Sequence, residues 1–271
     1  MTTSGAKLLR RPEEPRRANF LELFFDLVFV VALVQLSNGL VQDLTWSGAF
    51  QTLVLLLAMW WVWSVTAWVT DLYDPQRSAI QLLVTASMLG SLVMVVALPD
   101  AFGERGLVFA GMYAAIHVGR QIFLVLTLRG HELQRRSVRV LFWFGVSAVP
   151  WIAGALAHGA ARGALWTLAV AVDYTARGFR FPTPGLGRSP ESEFPIVAEH
   201  LAERYRQLFV IALGELILDI ALTLSGSGFA ADRTARSWCR SSARRCSCGS
   251  TSTARESCCR LPSQRRPTQT A

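Results

Sequence analysis

Apolar residues in this chain fall into blocks of membrane-spanning length that are separated by short polar connections. About 20 apolar residues in a helix match the hydrocarbon core of a bilayer, because each residue advances the helix by roughly 1.5 Å. The pattern predicts an all-α, polytopic membrane bundle over 19–225, with a long loop at 177–199. The predicted helices are about 20–41, 46–70, 78–98, 106–128, 138–158, 163–176 and 200–224.

Lysine and arginine give the predicted orientation, because these residues concentrate in cytoplasmic loops. With residues 1–18 as a basic cytoplasmic tail, thirteen basic residues lie on the inner side and only Arg105 and Arg162 lie on the outer side. The inner residues are Lys7, Arg10, Arg11, Arg16, Arg17, Arg77, Arg129, Arg135, Arg136, Arg139, Arg177, Arg180 and Arg188. This distribution accounts for most of the net charge of +8, so we expect no nucleic-acid partner.

Residues 226–271 depart from this composition and are rich in Arg, Ser and Cys. All five cysteines lie in the last 33 residues, and nine arginines would stand on the outer side of a seven-helix topology. The spacings Cys246-x-Cys248 and Cys258-Cys259 differ from those of structural zinc sites, so we expect no metal. One interpretation is a disordered basic tail. We favour a shifted reading frame that begins near Gly226.

Two carboxylates lie in the first two turns of the first predicted helix. Glu22 and Asp26 are four residues apart, so they share one helix face. A carboxylate within a bilayer is costly and usually faces a bundle interior, a partner or water. The alternative is that both residues mark the interfacial end of the helix.

The seventh predicted helix carries the densest polar stripe. His200, Glu203, Arg204, Gln207 and Glu215 recur at helical spacing and share a face. Glu215 lies about mid-span, where an ion or proton site and a buried structural hydrogen bond are the two interpretations. The first three residues lie at the predicted cytoplasmic end, where an interfacial salt bridge is an equal alternative.

Arg120 lies within the fourth predicted helix, one turn after His117, with apolar residues on both sides. An arginine at that depth needs a counter-charge. The candidate partners are Asp26, Asp71, Asp173 and Glu215. A secondary set of site residues consists of Asp71, Arg77, His117 and Asp173.

Two weaker signals concern packing and repetition. Small residues permit close helix approach in membranes, and the candidates are Gly111, Gly119, Gly145 and Gly154. The segment that starts at Glu22 also resembles the segment that starts at Glu203, which would place the start of a second repeat at the seventh helix. Repeated halves are common in transporters.

Four segments resemble the bacterial low temperature requirement A family: 22–37 (ELFFDLVFVVALVQLS), 71–77 (DLYDPQR), 97–123 and 200–217 (HLAERYRQLFVIALGELI). The resemblance implies a multi-pass protein of the bacterial inner membrane, connected with growth in the cold, and implies no substrate. In place of the family's Gly-Glu-Ser the chain has Gly214-Glu215-Leu216, and the family continues with further spans. The charged and Gly positions shared with the family are Glu22, Asp26, Asp71, Arg77, Arg120, His200, Glu203, Arg204, Gly214 and Glu215.

These patterns favour an ion- or proton-coupled transporter or channel-like protein that uses Glu215, Asp26 and Arg120. Its partners would be the lipid bilayer and an ion or small solute, and the oligomeric state stays open. The alternatives are a non-transporting membrane protein that supports envelope function or cold adaptation, and an inactive truncated product. Nucleotide-binding, nucleophile-elbow and zinc-protease motifs are absent from the sequence, so we expect no enzyme and no cofactor.

Overall fold

A computed structural model describes residues 20–74, 76–131, 133–190 and 198–226. This part of the chain is a set of helices joined by turns, which confirms the all-α class. The helices are α1 (Phe20–Gln42), α2 (Trp46–Leu72), α3 (Ser78–Ala97), a short 3-10 helix (Leu98–Asp100), α4 (Gly106–Thr127), α5 (Leu133–Leu156), α6 (Ala160–Gly178) and α7 (Ala198–Gly226).

The helix ends lie within two residues of the predicted ends, except at the starts of α5 and α6. Helix α5 begins at Leu133, five residues before the predicted position. Its first turns contain Gln134, Arg135 and Arg136. Glutamine and arginine are good helix formers, but they are polar, so a pattern of apolar residues does not detect them.

Five of the described helices are long and apolar enough to cross a membrane, namely α1 to α5. Helices α6 and α7 form where they were predicted but are not among these five. Charged residues interrupt both, including Asp173 in α6 and Glu203 in α7. Large apolar side chains such as Leu82, Leu89 and Val96 on α3 face outward, and this surface suits contact with lipid.

Helix α2 is the central helix of the bundle. Within its membrane-spanning window 67% of the residues are buried, against 39–56% for the other four candidate spans. It packs against α1, α3, α4 and α6. Polar side chains on its inner faces are therefore removed from both lipid and water.

A glycine allows α5 and α6 to approach closely. A Cβ atom added at Gly154 would lie 2.5 Å from Cδ1 of Trp166, whose Nε1 donates to the carbonyl oxygen of Trp151 at 3.0 Å. The predicted close approach is therefore present at Gly154. The prediction is wrong for Gly111, Gly119 and Gly145, because no atom of the described residues lies within 4 Å of an added Cβ there.

Arg162, one of the two basic residues on the predicted outer side, is buried at the start of α6. Its guanidinium donates to the carbonyl oxygens of Gly103 at 2.6 Å and Ala157 at 3.0 Å. These bonds join the connection between α3 and α4 to the connection between α5 and α6. Its role at this end of the bundle is therefore to satisfy carbonyl groups.

Helix α7 passes from one compact unit, Met1–Glu215, into a second unit, Leu216–Ala271. The described part of the second unit is the helical segment 216–226. The predicted basic tail 1–18 lies outside the described residues, as does the Arg/Ser/Cys-rich segment after Gly226.

Candidate functional site

The first buried polar group joins α1 to α7. Arg204 Nη2 forms an ion pair with Asp26 Oδ1, and both side chains are at most 1% exposed. Trp63 Nε1 donates to the same carboxylate oxygen at 2.8 Å, and Arg204 Nη1 donates to Thr70 Oγ1 at 3.1 Å. We call Asp26, Trp63, Thr70 and Arg204 the Arg204 cluster.

Aromatic rings surround the Arg204 cluster. Arg204 Cζ lies 5.5 Å from the centroid of the Trp63 ring, a distance that permits a cation–π interaction. The Tyr205 ring lies 5.2 Å from that of Trp63, and the Phe29 ring lies 5.9 Å from it. These rings keep water away from the ion pair, which strengthens its electrostatic attraction.

The second buried polar group joins α2, α4 and α6. Arg120, which is 3% exposed, donates from Nη1 to Thr66 Oγ1 at 3.0 Å and from Nη2 to His117 Nδ1 at 2.7 Å. The Tyr113 hydroxyl donates to Asp173 Oδ2 at 2.7 Å, and its ring centroid lies 4.5 Å from that of His117. We call Thr66, Tyr113, His117, Arg120 and Asp173 the Arg120 cluster.

The bond between Arg120 and His117 fixes the state of the imidazole. A guanidinium can only donate, so His117 Nδ1 must accept and the ring proton must lie on Nε2. The imidazole of this arrangement is therefore neutral, and it accepts from Arg120 in place of a carboxylate.

The two clusters meet on α2. Thr66 and Thr70 are one turn apart on the same face of this central helix. Their hydroxyls donate to the carbonyl oxygens of Val62 at 2.7 Å and Ala67 at 3.1 Å. Each hydroxyl oxygen also accepts from one arginine, so α2 carries an acceptor for both guanidiniums.

Five polar atoms of the clusters are buried without a hydrogen-bond partner in the described part of the chain: Asp26 Oδ2, Asp173 Oδ1, His117 Nε2, Arg120 Nε and Arg204 Nε. Leaving a buried polar atom unsatisfied costs about 1–3 kcal/mol. Such atoms call for a water, an ion or a functional role. Asp26 Oδ2 and Asp173 Oδ1 are carboxylate oxygens and His117 Nε2 is an N–H donor, so these atoms can receive and give a proton.

Sequence comparison places the chain in a family. The sequence model of the bacterial low temperature requirement A protein (LtrA) matches residues 17–237. The chain belongs to this family. This confirms the membership expected from the motifs, and the match together with the apolar helices makes the LtrA chain a membrane protein.

This chain matches part of a longer relative. An uncharacterized protein of Rhizobium meliloti (strain 1021) is 40% identical over 215 residues, which are 79% of the LtrA chain and 53% of the relative. The chain thus spans about half the length of that relative. No solved structure matches the chain.

The predicted acidic residues of the LtrA chain have different environments. Glu22 is buried, one turn before Asp26 on α1. The Glu203 side chain is 39% exposed and accepts from Arg206 at 3.0 Å and Gln207 at 3.3 Å. Glu215 is half-buried, and no hydrogen bond or ion pair within the described residues joins it to either cluster.

Adjacent residues of α7 have opposite environments, because successive side chains on a helix diverge by about 100°. Arg204 is buried and Glu203 lies at the surface. The alternative of an interfacial salt bridge therefore fits Glu203, whereas Arg204 lies inside the bundle. The side chain of His200 lies outside the described part of the chain.

The expected carboxylate partner of Arg120 is absent, which corrects the sequence-based expectation. Among the described residues, Asp26, Asp71, Asp173 and Glu215 form no ion pair with it. His117 and Thr66 occupy its two Nη groups instead. The partner was not recognised because a neutral histidine one turn away is a less obvious acceptor than an acid.

Two secondary candidates, Asp71 and Arg77, lie at the end of α2 and in the connection that follows it. Asp71 is buried near the end of that helix. Arg77 pairs with Asp74 at 3.2 Å, while Asp74 also accepts from the backbone N–H of Gln76 at 2.8 Å. The Arg77 pair therefore stabilises the turn that leads into α3 and belongs to neither cluster.

Four cluster residues of the LtrA chain were not predicted. Trp63, Thr66, Thr70 and Tyr113 are not among the candidate residues of the sequence analysis. A usable signal was present, since two threonines one turn apart interrupt an apolar, Trp-rich helix and Tyr113 lies one turn before His117. That signal identifies polar positions and does not identify the arginines that they bind.

Proposed function

We propose that this chain belongs to an ion- or proton-coupled transporter or channel-like protein of the bacterial inner membrane. Asp26 would be the carboxylate that takes up and releases the proton or cation. The observation that supports this most is the ion pair between Asp26 and Arg204, buried in an apolar helix bundle while Asp26 Oδ2 has no partner in the described structure.

A contribution to the stability of the fold is a weak explanation for a buried ion pair. Removing two charges from water costs about as much as their attraction returns, so apolar replacements are often neutral or stabilising. Charged residues within membrane helices usually belong to ion pathways or proton relays. The position of this pair within an apolar bundle therefore favours a functional role.

The clusters suggest a specific division of roles. When Asp26 takes up a proton, its attraction for Arg204 is lost and the contact between α1 and α7 weakens. Glu22, one turn nearer the predicted cytoplasmic end, is the carboxylate through which a proton would reach Asp26. Arg120 supplies a positive charge beside His117, whose Nε2–H is an available donor. Glu215 stays a candidate on the same chain.

The test is proton flux in proteoliposomes that contain the purified chain and an entrapped pH dye. Asp26→Asn removes the titrating oxygen and keeps the shape of the side chain. Flux should fall at least about tenfold, which is an increase of about 1.4 kcal/mol in the barrier, because an amide cannot take up and release the proton. Replacing protons by Na⁺ or K⁺ gradients across the same vesicles identifies a coupled cation.

Glu203→Gln is the matched control, since it also replaces an acid by its amide and lies beside Arg204 on the exposed side of α7. It should keep wild-type flux. The proposal fails if wild-type vesicles show no flux under any of these gradients. It also fails if Asp26→Asn, with unchanged helical content, conducts as wild type does.

A non-transporting role remains the second candidate, because three groups hold Arg204 at once: Asp26, Thr70 and the Trp63 ring. Such an anchored arginine also suits a purely structural link between helices. In that case no flux occurs, and Asp26→Asn lowers only the stability of the bundle.

A further inference from the structure

A cavity separate from both clusters lies among the ends of α2, α4 and α6 and the start of α5. Its volume of about 40 Å³ has room for about three or four water molecules, since each needs roughly 10–15 Å³. The cavity is lined by Trp61, Val65, Trp68, Val69, Tyr73, Gln121, Leu124, Arg136, Ser137, Val140, Phe144, Arg177 and Phe181.

The lining of the cavity favours an anion. Among the described residues that line it are two guanidiniums, from Arg136 and Arg177, and no carboxylate. A guanidinium has five N–H donors, so each arginine can bind an anion while it keeps other partners. Arg177 Cζ lies 4.9 Å from the Trp68 ring, and this contact holds the side chain in place. Burial raises the pKa of the Tyr73 phenol, although Arg136 opposes that shift, so Tyr73 adds no negative charge.

The segment after α6 closes the cavity and is held in place by α5. Arg139 Nη2 donates to the carbonyl oxygen of Leu186 at 2.9 Å, and Trp143 Nε1 donates to that of Pro182 at 3.0 Å. These bonds keep Phe181, which is 4% exposed, against the cavity. The cavity is therefore preformed.

The same segment has an unusual backbone. Arg180 and Phe181 have φ values of 60° and 51°, in the left-handed region that residues other than glycine rarely adopt. The Phe181 N–H donates to the Ala176 carbonyl oxygen at 2.7 Å. The Arg180 N–H donates to that of Arg177 at 3.1 Å, and a pair of bonds of this kind commonly ends a helix with a residue in this conformation. The turn therefore ends α6 and places Phe181 at the cavity.

The predicted orientation places this cavity on the cytoplasmic side, where most of the basic residues lie. Basic pockets between membrane helices on that side bind the headgroups of anionic lipids. Paired arginines match the oxygens of a phosphoryl group, to which each can donate two parallel hydrogen bonds. We propose that the cavity binds a phosphoryl group between Arg136 and Arg177, carried by an anionic phospholipid or by free phosphate.

The experiment uses the full chain purified in a neutral detergent and has two arms. In one, native mass spectrometry follows retention of phosphatidylglycerol or cardiolipin, with phosphatidylcholine for comparison. In the other, thermal unfolding is measured with sodium phosphate against sodium chloride of equal ionic strength. Selective retention of an anionic lipid assigns the lipid source, and stabilisation by phosphate alone assigns free phosphate.

Arg136→Gln and Arg177→Gln should each weaken the observed binding about tenfold or more, because each removes hydrogen bonds to a charged group. Arg135→Gln is the matched control, since this neighbour on α5 is exposed and does not line the cavity. It should change binding less than twofold. Arg136→Lys and Arg177→Lys keep the charge if the glutamine variants fail to fold, and they should still bind, although more weakly.

Two results would overturn the proposal. One is a wild-type chain that retains neither anionic lipid in preference to phosphatidylcholine and gains no stability from phosphate. The other is an equal loss of binding in Arg135→Gln and Arg136→Gln, which would show general attraction to a basic surface. Neither arm depends on transport, so the outcome is independent of the function proposed above.

Discussion

Two buried arginines in this bundle are held in opposite ways. Arg204 and Arg120 are 1% and 3% exposed, and each donates to a threonine of α2. The second partner of Arg204 is the carboxylate of Asp26, whereas the second partner of Arg120 is the neutral ring of His117. Both side chains are buried and both reach a threonine of α2, so the difference lies in the charge of the second acceptor.

Arg204 therefore belongs to an ion pair, whereas the acceptors of Arg120 are neutral. In the Arg204 cluster the positive and negative charges cancel across one contact. In the Arg120 cluster the acceptors of the guanidinium are neutral, and among the described residues Asp173 is connected to it through Tyr113 and the His117 ring. The first arrangement links α1 to α7, and the second maintains a positive potential beside α4. Mutations that remove one hydrogen-bonding residue at a time should distinguish the Arg204 cluster from the Arg120 cluster.

The largest effect is expected from Arg204→Gln. This change leaves the Asp26 carboxylate buried without its cation, which typically costs about 3–5 kcal/mol. Reversible unfolding of the detergent-solubilised chain measures the loss. The double variant Asp26→Asn with Arg204→Gln should recover part of it, because neither charge is then left alone. If the stability loss of the double variant equals the sum of the losses of the two single variants, Asp26 and Arg204 do not form an ion pair.

Arg120→Gln should have a smaller effect. It leaves no buried carboxylate without a partner, so the loss should be about 1–3 kcal/mol, the cost of unsatisfied acceptors at His117 and Thr66. The same unfolding assay gives the value. A loss as large as that of Arg204→Gln would show that Arg120 also depends on a carboxylate, and the contrast between the clusters would disappear.

Tyr113→Phe should have the smallest effect of the three. It removes the hydroxyl that donates to Asp173 at 2.7 Å and keeps the ring contacts, so we expect about 1.5 kcal/mol, the low end for a hydrogen bond to a charged group. Tyr174→Phe, on the adjacent residue of the same helix as Asp173, removes a hydroxyl that donates to the Leu57 carbonyl oxygen at 3.1 Å. Because that acceptor is uncharged, the control should lose less, and the unfolding assay compares the two directly.

Much of the fold could be predicted from apolar blocks alone, and the exceptions have one cause. The start of α5 was missed because its first turns are polar, and the close contact at Gly154 could not be distinguished from the open positions at Gly119 and Gly145. Hydropathy reports where a helix can lie in lipid. It does not report which face of that helix meets another helix.

The sequence by itself determined that this is a bundle of membrane helices, because blocks of apolar residues have few other stable environments. It also identified Asp26, Arg120 and Arg204 as unusual, because charges within such blocks are costly. Only the tertiary structure decided that Arg204 binds Asp26, 178 residues away, and that Arg120 binds His117. Pairing depends on which helix faces meet in space, and the packing around α2 sets those contacts.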